Sequence, residues 1–276
     1  GIVALRYVAA PTGLAATGGP ASASVAFTQA TGPTVTNYAY SLNGGAWTTL
    51  TSIDASSPVT IPGLVNGQNY SIELRPISAL GLGEESAAVS VRPPGPATQV
   101  PVTSANSIAA GSRLAMTVTR KDATGVNTTV ETTTAATSQT LTVNLSSDRP
   151  TDDTFYAAAG GGNPITQITI PSGESSATFY YESTSLGSST ITTSVSGLTS
   201  GTKSVNVSPG PAAQFRVDGF PTAQLRNIPF NVTVTPLDIY GNPTLAPGSN
   251  STITLSATGG ATAGNLRYPL PAPVAN

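Results

Sequence analysis

Apolar and polar residues alternate along this chain in short stretches, each closed by Gly, Pro, Asn or Ser. Ser24-Val25-Ala26-Phe27, Ser71-Ile72-Glu73-Leu74, Leu114–Thr119 and Leu141-Thr142-Val143-Asn144-Leu145 show the pattern in the first half. Residues 177–181, 189–193, 230–234 and 251–255 continue it. Side chains of a strand point alternately to its two faces, so this period gives one buried face and one wet face. Threonine fills many outward positions, where its branched side chain favours extended backbone and its hydroxyl meets water. Helical spacing of apolar groups never runs for about eleven residues without Gly, Pro or β-branched interruptions. Short strands with turns about every ten residues predict an all-β chain of sandwiches or barrels.

An internal repeat divides the chain further. Gly95-Pro96-Ala97-Thr98-Gln99-Val100 returns 115 positions later as Gly210-Pro211-Ala212-Ala213-Gln214-Phe215. Thr117-Val118-Thr119, with Asp122 and Gly125, returns at offset 116 as Thr233-Val234-Thr235, with Asp238 and Gly241. Order is kept and only the offset drifts, as loop-length changes between copies of one module would produce. Residues 95–209 and 210–276 are therefore expected to be two such copies, the second lacking the counterpart of residues 177–207. The recurring Asp122 and Asp238, each ahead of a Gly, read as turn aspartates that accept backbone amides.

Composition narrows the function. Charged residues are 9% of the chain, against roughly 25% in an ordinary globular protein. Serine and threonine, 73 together, take their place. Neither Cys nor His occurs, which excludes disulfides, Cys/His zinc sites, cysteine nucleophiles and a Ser-His-Asp triad. A net charge of −2 with no basic cluster gives no footprint for nucleic acid. No apolar run approaches the roughly 20 residues of a membrane helix, and no membrane insertion is expected. Neither an active site nor a cofactor is expected. The chain begins with Gly1, which reads as a processed form or an excerpt. This composition suits a protein outside the cell or on its surface, with a virion surface as the alternative.

Pro11-Thr12-Gly13-Leu14, Val25, Phe27, Tyr38-Ala39-Tyr40-Ser41, the Asn43-Gly44-Gly45 turn and Trp47 come first in a recognisable order. Ile61-Pro62-Gly63-Leu64-Val65-Asn66-Gly67-Gln68-Asn69-Tyr70 follows, then Ile72, Leu74, Arg75, Gly81 and Gly83. Residues of about 10–93 thereby resemble a bacterial fibronectin type III domain. The resemblance implies a tyrosine corner at Tyr70, whose hydroxyl bonds the backbone upstream. It departs at the second strand, where Phe27 stands for the usual core Trp. Residues of about 95–276 are similar to the Ig-like domains of large bacterial surface proteins and adhesins. Residues 232–242 look like their early strand and turn, residues 168–181 like a later hairpin, and residues 197–199 and 205–207 like closing strands. Extracellular scaffold use is what both resemblances imply.

Three groups of residues are candidates for more than scaffold. Asp148, Asp152 and Asp153 form the densest acidic group and are calcium candidates, since converging carboxylates suit that ion; an acidic solvated turn around Arg149 is the plainer reading. Trp47 and Tyr181 are candidates for stacking on surface glycans, although Trp47 also suits a strand-edge cover and one of Tyr180 and Tyr181 must be core. Val3, Leu5 and Tyr7 lie on a strand-like segment ahead of the first module. That segment belongs either to a preceding module or to a donor strand that completes the partial last module of a neighbouring copy.

Together these readings give tandem β-sandwich modules. A strand over 1–9 precedes a fibronectin type III-like sandwich over 10–94, an Ig-like sandwich over 95–209 and a partial one over 210–276. The expected protein is a non-catalytic extracellular rod, part of a surface layer, filament, stalk or adhesin. Its expected partners are copies of itself or neighbouring modules of a longer chain. A carbohydrate-binding accessory region of a secreted enzyme and a phage tail-fibre component are the alternatives.

Overall fold

A computed structural model of the chain describes residues 8–29, 31–52, 55–222, 228–245 and 254. Every regular element in them is a strand. Residues up to Ser208 form one compact unit and those from Pro209 a second.

The first unit begins with β1 (Thr12–Gly19), β2 (Ser22–Thr28), β3 (Val35–Leu42), β4 (Thr48–Thr49), β5 (Val59–Pro62), β6 (Tyr70–Ser78), β7 (Gly81–Leu82) and β8 (Val89–Val91). A three-stranded sheet β1-β2-β5 faces a sheet β4-β3-β6-β7, with β8 also on β6. Alternation decides the filling: Ala23, Val25, Ile61, Ile72 and Leu74 are all fully buried between the sheets. Phe27 lies edge-on to Tyr38 with ring centroids 4.7 Å apart, so it takes core volume as expected. Tyr38 is buried and Tyr40 packs against the same core. The Tyr70 hydroxyl accepts the Val65 N–H at 2.9 Å, the upstream backbone bond of a tyrosine corner. Pro58 just ahead of the edge strand β5 and Pro62 at its last position blunt it against further pairing.

The same unit continues with β9 (Gln99–Val100), β10 (Val102–Thr103), β11 (Ser107–Ala109), β12 (Leu114–Thr119), β13 (Leu141–Ser147), β14 (Asp153–Tyr156), β15 (Pro164–Ile165), β16 (Gln167–Ile170), β17 (Ser176–Ser183), β18 (Gly187–Ser194) and β19 (Thr199–Ser208). Two sheets, β10-β12-β17-β14-β15 and β11-β19-β18-β13-β16, enclose a separate core. Met116, Val118, Val143, Ile170, Phe179, Ile191 and Val205 are fully buried there. The expected hairpin over residues 168–181 is instead a crossover. β16 pairs with β13 in one sheet, while β17 pairs with β12 and β14 in the other. The Pro171-Ser172-Gly173 turn therefore carries the chain across the core rather than back along its own sheet.

In the second unit, β20 (Gln214–Asp218) pairs antiparallel with β21 (Thr233–Leu237), Val217 opposite Val234. The strand expected over 230–234 starts three residues later, and the one expected over 251–255 lies outside the described residues except for Thr254.

Candidate functional site

Polar side chains concentrate where the first two sandwiches meet. Asn66, 2% exposed, follows the Pro62-Gly63-Leu64 turn after β5. Its Oδ1 accepts the Ala21 N–H of its own sandwich at 2.7 Å. Its Nδ2 donates across to the carbonyls of Ala135 (2.9 Å) and Thr132 (3.2 Å), and its own N–H donates to the Thr133 carbonyl (2.9 Å). Arg92 leaves β8 one residue past Val91. Its Nε donates to the Gly67 carbonyl at 3.0 Å, and its Nη1 donates to Asp122 Oδ2 in the second sandwich at 2.6 Å. The linker itself is fixed by the same carboxylate, since the Gly95 N–H donates to Asp122 Oδ2 at 3.0 Å. A Cβ at Gly95 would crowd the clasp, standing 3.0 Å from that oxygen and 3.2 Å from Arg92 Nη2, so these groups would have to shift by a few tenths of an ångström.

Asp122 is saturated. Oδ1 accepts the N–H groups of Thr124 (2.9 Å) and Val126 (3.0 Å) and the Thr124 hydroxyl (2.7 Å). Burial alone would raise its pKa, but Arg92, Thr124 and the two backbone donors outweigh it and hold the carboxyl well below the usual range. Gln99 Nε2 donates to the Asp122 carbonyl (3.1 Å), and the Thr128 hydroxyl donates to the Gly95 carbonyl (2.6 Å), closing the ring.

The repeat rebuilds this clasp in the second unit. Gly210 N–H donates to Asp238 Oδ2 at 3.0 Å, Gln214 Nε2 to the Asp238 carbonyl at 3.2 Å, and the Thr244 hydroxyl to the Gly210 carbonyl at 3.0 Å. Tyr240 and Asn242 N–H groups donate to Oδ1, both at 2.9 Å. Burial again opposes ionisation and the Asn242 and backbone donors override it, lowering the Asp238 pKa. The repeated Gly-Pro and Asp motifs are thus two halves of one contact. Sequence reading placed the aspartate in a turn but missed its reach back to the linker glycine.

The calcium candidates are spent otherwise. Asp148 and Asp153 both approach the Ser189 hydroxyl, but among the described residues no three acidic side chains gather around a common point. Asp148 Oδ1 accepts the Thr190 N–H at 2.8 Å, the main reason its pKa is lowered. The Asp153 side chain is fully buried between the sheets rather than solvated. It accepts the Tyr181 hydroxyl at 2.9 Å and the Ser189 hydroxyl, and Arg149 Nη2 stands 3.5 Å away. Tyr181 is accordingly corrected as a glycan candidate: its ring is wholly in the core, and Tyr180 is the one facing out. Burial, with Asp153 beside it, holds the Tyr181 hydroxyl above the usual phenol range. Tyr181→Phe is expected to lose about 1.5 kcal/mol, the worth of one hydrogen bond to a buried carboxylate, measurable by urea denaturation.

Trp47 is partly exposed, but the Arg75 guanidinium lies 4.6 Å from its ring centroid and pairs in turn with Glu85 at 3.0 Å. One ring face is therefore already stacked, as a strand-edge cover would be. Val3, Leu5 and Tyr7 lie outside the described residues. Val8, just after them, is buried at 2%, with its carbonyl accepting the Glu84 N–H of the first sandwich.

No protein-family model matches the chain, and no curated protein matches it. Solved structures do. Domains 4–9 of surface layer protein SbsC align with a TM-score of 0.38 and 19% identity, over 91% of this chain and 40% of that one. The FN1–FN3 domains of chicken CNTN1 give 0.30 and 12%, over 83% and 75%. A glycosyl hydrolase family 2 member from Bacteroides cellulosilyticus gives 0.36 and 13%, over 67% of this chain and only 24% of the hydrolase. Such likenesses concern the fold alone. By its own strands and cores, the chain is an all-β protein of β-sandwich modules.

Proposed function

We propose that the chain is a non-catalytic structural module of an extracellular assembly, a surface layer, filament, stalk or adhesin. One observation carries this reading: all six arginines among the described residues are ion-paired, with Glu85, Asp122, Glu182, Glu131, Asp153 and Asp218. Five of these pairs hold loops, linkers and strands of the first unit together, and Arg216–Asp218 is an exposed pair within β20. The first sandwich, residues 10–94, is read as fibronectin type III-like; residues 95–209 and 210–276 are read as Ig-like copies. The partners proposed are copies of this chain or neighbouring modules of a longer one. Light scattering and negative-stain electron microscopy of the purified chain, with and without calcium, test this. Filaments or sheets are expected, and Leu5→Asp is expected to abolish them if residues 2–8 act as a donor strand. Monodisperse particles at every concentration would overturn self-assembly.

A further inference from the structure

The two clasps differ at two ligands of the aspartate: the Thr124 hydroxyl on Asp122 Oδ1 has Tyr240 at its counterpart position, which gives Asp238 Oδ1 only its backbone N–H, and the donors to Oδ2 differ. In the first copy, Oδ2 is shared by the Gly95 N–H and by Arg92 of the sandwich upstream. In the second, Oδ2 is shared by the Gly210 N–H and by Asn242 Nδ2 at 2.9 Å, from within the same module. Position 242 corresponds to Val126, whose side chain is 48% exposed and has no donor to offer. The linkers differ to match: Val91-Arg92-Pro93-Pro94-Gly95 against Val207-Ser208-Pro209-Gly210, with serine where the arginine stands and one proline fewer.

We propose that the clasp is a docking port for an upstream cation, and that residue 126 decides whether the port is open. With valine there, Asp122 Oδ2 accepts a guanidinium that the first sandwich already fixes through Gly67. The two sandwiches then open as one cooperative unit. With asparagine there, the module satisfies its own aspartate. This goes beyond the structural role proposed above and stands whether or not the chain assembles.

Hydrogen exchange with mass spectrometry on the full chain, stepped through low denaturant, reads the coupling directly. In the wild type, slow amides of β2, β3 and β6 are expected to share one opening with those of β12, β13 and β17. Arg92→Met should separate the two openings by a factor of about ten, as loss of one charged hydrogen bond implies. Val126→Asn is the sharper test. It removes no charge and no buried contact, yet its amide should displace Arg92 and separate the openings while the second sandwich keeps its own protection. Separate openings in the wild type would overturn the proposal. So would a shared opening that survives both substitutions.

Discussion

Replacing Arg120 by methionine is expected to destabilise the second sandwich by about 3–5 kcal/mol, the range for removing one partner of a buried ionic network. Arg120 is the largest fully buried side chain among the described residues. Its Nη1 donates to Glu131 Oε1 at 3.0 Å and to the Gln139 carbonyl at 2.6 Å. Its Nη2 and Nε donate to the Glu174 carbonyl at 2.6 and 3.1 Å. One guanidinium thus ties the long 127–140 segment to the turn between β16 and β17. Methionine keeps much of the volume but leaves the carbonyls of Gln139, Glu174 and Pro171 and the Glu131 carboxylate without the Arg120 donor. Against a total stability of roughly 5–15 kcal/mol, that is a large share. Urea denaturation followed by far-UV circular dichroism measures it. Glu131→Gln should be milder, since the side chain of Glu131 is 26% exposed and the carbonyl contacts survive. A change under about 1 kcal/mol for Arg120→Met would mean the network contributes nothing net.

Much of this architecture was legible in the alternation, and so, with stricter use, was part of what sequence reading missed. Met116, Val118 and Arg120 share one parity, and continuing the count past Thr119 places Arg120 on the inward side. Local composition points the other way, because an arginine beside Lys121 and Asp122 resembles a surface turn. Asp153 and Phe155 likewise share the inward parity of β14, as Phe179 and Tyr181 do in β17. Reading Asp153 with its acidic neighbours instead suggested a solvated loop. Parity carried the burial signal, whereas local charge density misled. What no period encodes is partner choice across sheets and modules. The β16–β17 crossover, the Asn66 bridge and the closure of each aspartate on its linker glycine depend on contacts between distant segments. Even there the repeat held a clue, since Gly95 with Asp122 and Gly210 with Asp238 recur at almost the same separation.

Acid should loosen the first clasp, and Asp122→Asn should remove that sensitivity while lowering stability at neutral pH by roughly 3 kcal/mol. The neutral amide keeps the shape but offers Arg92 no counter-charge, and its NH2 faces donors that need an acceptor. The pH dependence follows from the depressed pKa of Asp122 in the folded chain. Unfolded, the carboxyl titrates near its ordinary value of about 3.9. Between that pH and the lower folded value, the unfolded chain binds one more proton than the folded one. Stability therefore rises with pH across this window, by about 1.4 kcal/mol per unit at most from this group. The contribution is fully present above about pH 4 and is lost as pH falls through the folded value. Asp148 and Asp238 are depressed in the same direction and are present in both proteins, so subtracting variant from wild type isolates Asp122. Urea midpoints at pH 7, 4, 3 and 2.5 provide the comparison. The two curves should lie farthest apart at pH 7 and converge toward pH 2.5. If they stay parallel, the Asp122 carboxylate holds the linker by shape alone and its charge to Arg92 adds nothing.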